Sequence, residues 1–352
     1  MSLLDDADLF ARLDPSDMRG LIAALPTQAR EGWAQGEQWE IPDSLTPPSR
    51  VVVAGSGASA IGGEIIASIA ASRSTIPIEI VRGFELPQTD AETLIVASSF
   101  SGNTEEALTA FREATSRPGQ CLAITTGGLL AKAARKADRP LFTYTLDGPP
   151  RSTFGYGLFS LLRLLSRIGA LDVDRSEVEC AFGALEYGAK AWGLQSPHES
   201  NLAKQIASQL AGRAPVIIAA DFLHVAARRW ATQVNENASQ WAFHAALPEI
   251  DHNLVVGLSA PPAIRDSLTA ILLQSEVTPP QSLLRVRAVT ELLDAATIPH
   301  VDVTAKGASA LESIVSACYL GDWVSLYLAM LNDVDPTPVP AIEYIKDAVK
   351  KH

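Results

Sequence analysis

Short apolar runs that break off at glycine, serine or aspartate alternate along this chain with stretches whose apolar residues recur at three- and four-residue spacing. The first pattern suits buried strands and the second suits helices. An amphipathic helical opening covers residues 1–45, punctuated by Pro15, Pro26 and Pro42. The pattern then predicts strands over 50–54, 78–81, 93–97, 121–125 and 141–144, with helices over 61–72, 104–116 and 129–137. Alternation of this kind indicates an α/β fold built on a doubly wound parallel sheet.

An apolar helix over 154–168 is expected to join two halves. From residue 200 the same rhythm returns. It predicts a strand over 215–220 ending at Asp221, a helix over 223–235 and a strand over 254–258. A helix over 264–270 is expected to run into a strand at 271–273. A helix over 283–295, a strand over 301–304 and closing helices over 309–331 and 340–350 follow, the last two separated by Asp335-Pro336-Thr337-Pro338. The second half reads as another copy of the first architecture without a clear sequence repeat. The expected organisation is an N-terminal helical segment (1–45), a first domain (46–165) and a second domain with C-terminal helices (166–352).

Composition narrows the class. The chain has 352 residues, enough for two domains of about 150 each, and 47% of them are hydrophobic. Its three cysteines, Cys121, Cys180 and Cys318, lack the spacing of a disulfide framework or a zinc cluster and suit a reducing cytoplasm. The acidic start lacks the features of a signal peptide, and no apolar run is read as long enough to span a membrane. A net charge of −12 argues against nonspecific nucleic-acid binding. It leaves room for a small anion held locally by N–H groups.

The run Leu94-Ile95-Val96-Ala97 feeds Ser98, Ser99, Ser101, Gly102, Asn103 and Thr104, and Glu105-Glu106 opens the next helix. A strand entering a polar turn at a helix N-terminus suits an anion, because free N–H groups and the positive end of the helix dipole face it. Hydroxyls add donors without charge. Ordinary helix capping explains any one of these side chains; five hydroxyl or amide groups within residues 98–104 exceed what a cap needs. A second glycine-rich turn, Gly55-Ser56-Gly57-Ala58-Ser59-Ala60-Ile61-Gly62-Gly63, also follows a strand and opens a helix. Its spacing departs from the dinucleotide fingerprint, and Glu79 lies inside the next strand instead of at its end. Either close strand–helix packing or backbone approach to a sugar or phosphate would require these glycines, with Gly57 and Ser59 facing the ligand in the second case. Both turns fall at the carboxyl ends of strands, where open α/β sheets bind ligands.

Ser99-Phe100-Ser101-Gly102-Asn103-Thr104-Glu105 resembles the phosphate signature of the sugar isomerase (SIS) fold. Pro149-Pro150-Arg151, Asn235-Glu236-Asn237, Pro248-Glu249-Ile250-Asp251-His252-Asn253, Tyr319-Leu320-Gly321-Asp322-Trp323 and Pro336-Thr337-Pro338 narrow the resemblance. Together with the glycine turn they are similar to the bifunctional phosphoglucose/phosphomannose isomerases, from about residue 50 to the C-terminus. Ala58 stands where that family usually has glycine. The resemblance implies two SIS-type α/β/α sandwich domains, each a mostly parallel sheet flanked by helices, in a homodimer with active sites at the subunit interface.

It also implies a reaction, the reversible isomerisation of glucose 6-phosphate and mannose 6-phosphate to fructose 6-phosphate through a cis-enediol(ate). Ser59, Ser99, Ser101 and Thr104 would hold the phosphate. Glu236 would carry a proton between C1 and C2, a task for a carboxylate whose pKa partial burial raises. His252, contributed by the neighbouring subunit, would open the sugar ring. Arg151 would stabilise the intermediate's negative charge, Lys346 would lie near the ring oxygen, and Thr337 would leave room for both C2 epimers. Taken singly, each of these residues also has a plain structural reading: a solvated helix-end glutamate, an exposed histidine, a surface arginine or lysine, a rigid proline-flanked turn. No metal-binding motif is present, so neither metal nor cofactor is expected. Two other functions stay open, an isomerase for another sugar phosphate (an amino sugar or arabinose 5-phosphate) and a noncatalytic sugar-phosphate sensor.

Overall fold

The structure, a computed structural model, describes residues 2–144 and 148–349. The chain forms two compact units, one of Ala24–Gly183 with Ala310–Glu312 and one of Met1–Ala23, Ala184–Ser309 and Ser313–His352. Helices α1 (Ala7–Leu13) and α2 (Met18–Ala23) open the chain and belong to the latter, called here the second unit.

The first unit begins with α3 (Leu25–Gln38) and continues through β1 (Arg50–Ala54), α4 (Ala58–Ala70), β2 (Ile78–Val81), β3 (Thr93–Ser99), α5 (Glu105–Ser116), β4 (Gln120–Thr125), α6 (Gly128–Lys136), β5 (Leu141–Thr143) and α7 (Phe154–Ile168). The sheet order is β2-β1-β3-β4-β5 and the paired strands are parallel. Every residue of β3 and β4 is buried, which is why the central strands read as continuous apolar runs and not as alternating ones. Ile95, Ala97, Cys121 and Ala123 pack with Leu108, Phe111 and Leu130 of α5 and α6. On the other face α4 lies so close to the sheet that a Cβ on Gly63 would sit 2.9 Å from Val53. The strand order reverses between β1 and β3. Such a switch point leaves a crevice at the carboxyl ends of the two strands, and both glycine–serine turns lie there.

Helix α7, expected to join the halves, packs inside this unit. A Cβ on Gly32 would meet Tyr156 Cα at 2.9 Å, and one on Gly155 would meet Ala29 N at 2.9 Å. Glycine on each helix therefore brings α3 and α7 into close contact. The boundary between units falls instead within α8 (Arg175–Trp192), which the apolar pattern did not predict.

The second unit contains α9 (Leu202–Leu210), β6 (Ala214–Ala220), α10 (His224–Asn237), β7 (Phe243–Leu247), the one-turn α11 (Pro262–Arg265), β8 (Leu268–Ser275), α12 (Pro280–Ala295), β9 (His300–Ala305), α13 (Ala310–Leu331) from Ser313 onward and α14 (Pro340–Val349). Its sheet, β7-β6-β8-β9, is also parallel and reverses between β6 and β8. The expected second copy of the architecture is therefore present. Ile218, Ala220, Ala270 and Leu272 pack against Val286, Val289 and Leu293 of α12. Lys204, whose side chain is fully buried, donates to Asp5 Oδ1 at 2.8 Å, Ser196 O at 2.8 Å and Leu194 O at 3.2 Å, tying the N-terminal segment to α9.

Several local expectations are corrected. Residues 254–258 are not a strand; Leu254–Ser259 is a 3-10 helix, started by Asn253 Oδ1 accepting from Leu254 N at 2.6 Å. Local side-chain bonds of this kind compete with a ladder. The edge position beside β6 belongs to β7, whose His244-Ala245-Ala246 centre lacks the β-branched residues that signal a strand. β8 begins at Leu268, so the helix expected over 264–270 ends at Arg265. Helix α13 is long and apolar enough to cross a membrane, against expectation, but 94% of its most apolar window is buried inside the protein. Residue 350, expected in the last helix, lies outside the described residues.

Candidate active site

The serine turn is built from its own hydroxyls. Ser99, fully buried at the end of β3, donates from Oγ to Thr104 Oγ1 at 2.8 Å. Thr104 is the N-cap of α5, yet its side chain makes no capping hydrogen bond. The first-turn N–H groups of α5 have no acceptor within the helix, and the residue placed to cap them is turned to Ser99. Ser59, half-buried at the start of α4, accepts from Phe100 N at 3.0 Å, so the two turns at the switch point are joined. They also touch at Gly55, where a Cβ would lie 2.7 Å from Ser98 O. Ser101 is exposed and accepts from Asn103 N at 3.2 Å. Gly57 has φ +55° and nothing near its Cβ position, leaving the entry to α4 open.

One polar group of the turn serves a neighbour. Asn103 Oδ1 accepts from Leu129 N at 3.2 Å and so caps α6. The turn before α6 carries further support that the sequence pattern did not single out. Phe100 O accepts from Thr126 N at 3.0 Å and Thr126 Oγ1 at 2.7 Å. Gly102 (φ +66°) and Gly128 (φ +67°) interlock the two turns: a Cβ on Gly102 would be 1.9 Å from Gly127 O, and one on Gly128 would be 2.3 Å from Ser101 O. The fit of Gly127 and Gly128 against residue 102 depends on the pairing of β3 with β4. Glu79, weighed as a ribose-binding acid, is ion-paired with Arg50 on the adjacent strand.

A small cavity joins these turns to the proline–arginine segment. Ala58, Ser59, Ser98, Phe100, Pro150 and Thr153 line part of it. Arg151 sits in a 3-10 helix, Pro150–Ser152, and is 3% exposed, so it is not a surface arginine. The segment is held by Ser152 Oγ donating to Pro149 O at 2.8 Å, Thr153 Oγ1 donating to Pro150 O at 2.8 Å and Gln28 Nε2 donating to Ser152 O at 2.9 Å. Arginine stays charged even when buried. The first unit thus gathers Gly57, Ser59, Ser99, Ser101, Thr104 and Arg151.

Glu236, His252, Thr337 and Lys346 belong to the second unit. Glu236 is half-buried in the last turn of α10. The asparagines on either side of it are anchored to other parts of this unit. Asn235 Nδ2 donates to Ala242 O and Asn235 Oδ1 accepts from Ala242 N, both at 3.0 Å; Asn237 Nδ2 donates to Ser325 Oγ at 2.9 Å. His252 is exposed at the end of a 3-10 helix, Glu249–His252. Beside it, Asp251 is ion-paired with Arg285, and Asn253 Nδ2 donates to Glu249 Oε1 at 2.8 Å. Thr337 is half-buried between Pro336 and Pro338, its N–H donating to Asp335 Oδ1 at 2.9 Å. Lys346 is exposed on α14. Among the described residues no group of three or more His, Cys, Asp or Glu side chains is arranged to hold a metal ion.

Residues 44–146 match the family model of the SIS domain, and residues 199–349 match that of the bacterial phospho-glucose isomerase C-terminal SIS domain. A bifunctional phosphoglucose/phosphomannose isomerase of Caldicellulosiruptor bescii is 32% identical over 325 residues, covering 92% of this chain and 96% of that one. One from Aquifex aeolicus is 33% identical over 325 residues, covering 92% and 97%. The chain belongs to the bifunctional phosphoglucose/phosphomannose isomerase family. In this member of the family, the serine turn lies within the matched SIS segment and Glu236, His252, Thr337 and Lys346 lie within the matched C-terminal segment. A glucose-6-phosphate isomerase like protein from Thermus thermophilus shares the fold, with TM-score 0.67 at 17% identity over 96% of this chain and 99% of that one. A hypothetical protein from the same organism gives TM-score 0.76 at 16% identity over 98% and 92%.

Proposed function

We propose that the protein reversibly isomerises glucose 6-phosphate and mannose 6-phosphate to fructose 6-phosphate. The observation that carries this reading is the open first turn of α5: Thr104 occupies the N-cap but bonds Ser99, at the switch point of a sheet in a chain of this isomerase family. Ser59, Ser99, Ser101 and Thr104, with the backbone beside Gly57, hold the phosphate. Glu236 takes a proton from C2 and returns it to C1 across a cis-enediol(ate). The charged guanidinium of Arg151, in a water-poor setting, stabilises the negative charge that develops on the oxygens. His252 moves the proton that opens the ring, Lys346 lies near the ring oxygen, and Thr337 leaves space at C2–C3 for either epimer. No step calls for a metal or cofactor.

A homodimer with shared sites fits the surface of the second unit. Trp241 is 79% exposed, Val256 74% and Tyr344 76%, and His252 is exposed near Val256 in the chain. The exposed Trp241 and Phe243 rings, 6.1 Å apart, form one apolar patch that a partner would cover, and an exposed histidine is available to a second copy. Free thiols, with Cys180 exposed, suit a reducing compartment such as the cytoplasm.

Coupled assays on fructose 6-phosphate, reading glucose 6-phosphate and mannose 6-phosphate separately, test the reaction. Formation of both is expected. Turnover confined to an amino-sugar phosphate or to arabinose 5-phosphate would replace it with another isomerase, and tight binding of fructose 6-phosphate without turnover would replace it with a sensor.

A further inference from the structure

The last turn of a helix ordinarily frays, because its carbonyls lack partners. The last turn of α10 is instead held on three sides. Asn235 exchanges two hydrogen bonds with the backbone of Ala242 at 3.0 Å. Asn237 and Ser325 are both fully buried and bonded at 2.9 Å, and Ser325 Oγ donates onward to Asp322 O at 2.7 Å. Asn332, just past the end of α13, donates from Nδ2 to Ala238 O at 2.9 Å and so closes the helix end. Further back along α10, Arg229 Nη2 donates to Asp322 Oδ2 at 2.7 Å and Trp230 Nε1 to Ala317 O at 2.6 Å. Arg229 and Asn237 lie on one helix face at eight-residue spacing, so α13 fixes the rotation of α10 as well as its end.

Glu236 sits inside this frame, between two of the pinned residues. A buried polar pair such as Asn237–Ser325 adds little net stability over an apolar pair of the same shape. It does demand one geometry. A carboxylate that serves two adjacent carbons, about 1.5 Å apart, needs that geometry. From these contacts we propose that Ser325 and Asn332 are positioning residues for the carboxylate of Glu236, Ser325 through Asn237 and Asn332 through the carbonyl of Ala238. The proposal rests on the reading of Glu236 as the proton carrier.

Steady-state kinetics on fructose 6-phosphate test it with Ser325→Ala, Ser325→Thr, Asn332→Asp and Glu236→Gln side by side. Asn332 is only half-buried, so its isosteric variant keeps the test available should Ser325→Ala fail to fold. Misplacement by an ångström costs up to about a hundredfold in rate. Ser325→Ala and Asn332→Asp are expected to lower kcat at least tenfold with KM changed less than twofold, and Ser325→Thr, which keeps the hydroxyl, to restore kcat. Wild-type kcat in both Ser325→Ala and Asn332→Asp overturns the proposal, as does a loss in Ser325→Ala that Ser325→Thr shares. If Glu236→Gln is inactive in that case, only the positioning role fails. If Glu236→Gln turns over normally, the role assigned to Glu236 fails and the positioning role with it.

Discussion

Ser99 Oγ and Thr104 Oγ1 are bonded at 2.8 Å across the turn that ends β3 and begins α5. That bond takes the hydroxyl of the N-cap residue away from the helix it would otherwise cap. The turn therefore leaves the first-turn N–H groups and the positive end of the helix dipole without that side-chain cap, with two hydroxyls at its edge.

Removing either hydroxyl is expected to weaken phosphate binding. A hydrogen bond to a charged group is worth about 1.5–3 kcal/mol, so Thr104→Val and Ser99→Ala should each raise KM for the sugar phosphate by about tenfold to a hundredfold. The turnover number should stay within a few fold, because the reacting carbons are at the other end of the substrate. Initial-rate measurements at several concentrations decide it; an unchanged KM in both variants would place the phosphate elsewhere.

Glu236→Gln removes the basic carboxylate and keeps its shape. Turnover should be lost while fructose 6-phosphate affinity, measured by calorimetry, stays within a few fold. Near-normal turnover in this variant would sink the proposed proton transfer.

If His252 serves the site of a neighbouring subunit, two inactive variants should rescue each other. In a mixed dimer of Glu236→Gln and His252→Ala, one site carries both defects and the other carries none. Random mixing in equal amounts makes half of the dimers mixed, so activity of about a quarter of wild type is expected. Mixtures as inactive as the separate variants would count against shared sites.

The N-terminal staple should show in the acid stability of the protein. The Lys204 ammonium bonded to Asp5 holds that carboxyl below its ordinary value of 3.8. A depressed folded pKa stabilises the fold fully above the unfolded value, and the gain disappears as pH falls through the folded one. Asp5→Asn should leave the buried ammonium without its counter-charge. A loss of about 3 kcal/mol is expected, the lower end for a broken buried pair, since Asp5 keeps 16% side-chain exposure. Urea unfolding at pH 7 measures that loss, and the gap between wild type and variant should narrow as the pH is lowered below 4. A gap independent of pH would assign the loss to something other than the charge.

Much of this molecule was legible as pattern. Strands buried on both faces write continuous apolar runs, so β1, β3, β4 and β6 could be placed from the sequence, and so could the turns that end them. β7 could not, because its alanines and histidine carry no strand signal and only pairing with β6 makes it a strand. Residues 254–258 misled for the opposite reason: an apolar run was diverted into a 3-10 helix by one asparagine.

The sequence by itself determined two parallel α/β sheets, a hydroxyl-rich turn at a strand end, and the family to which the chain belongs. These rest on burial, which is nondirectional and leaves a periodic trace along the chain. Only the tertiary structure decided which partner each polar side chain takes. Asn103 was read with its own turn and caps α6; Asn237 was read with Glu236 and bonds Ser325, 88 positions away. A hydrogen bond is satisfied only within a few tenths of an ångström and a narrow angle. Its partner is therefore set by where folding brings distant residues, and local spacing carries no record of it.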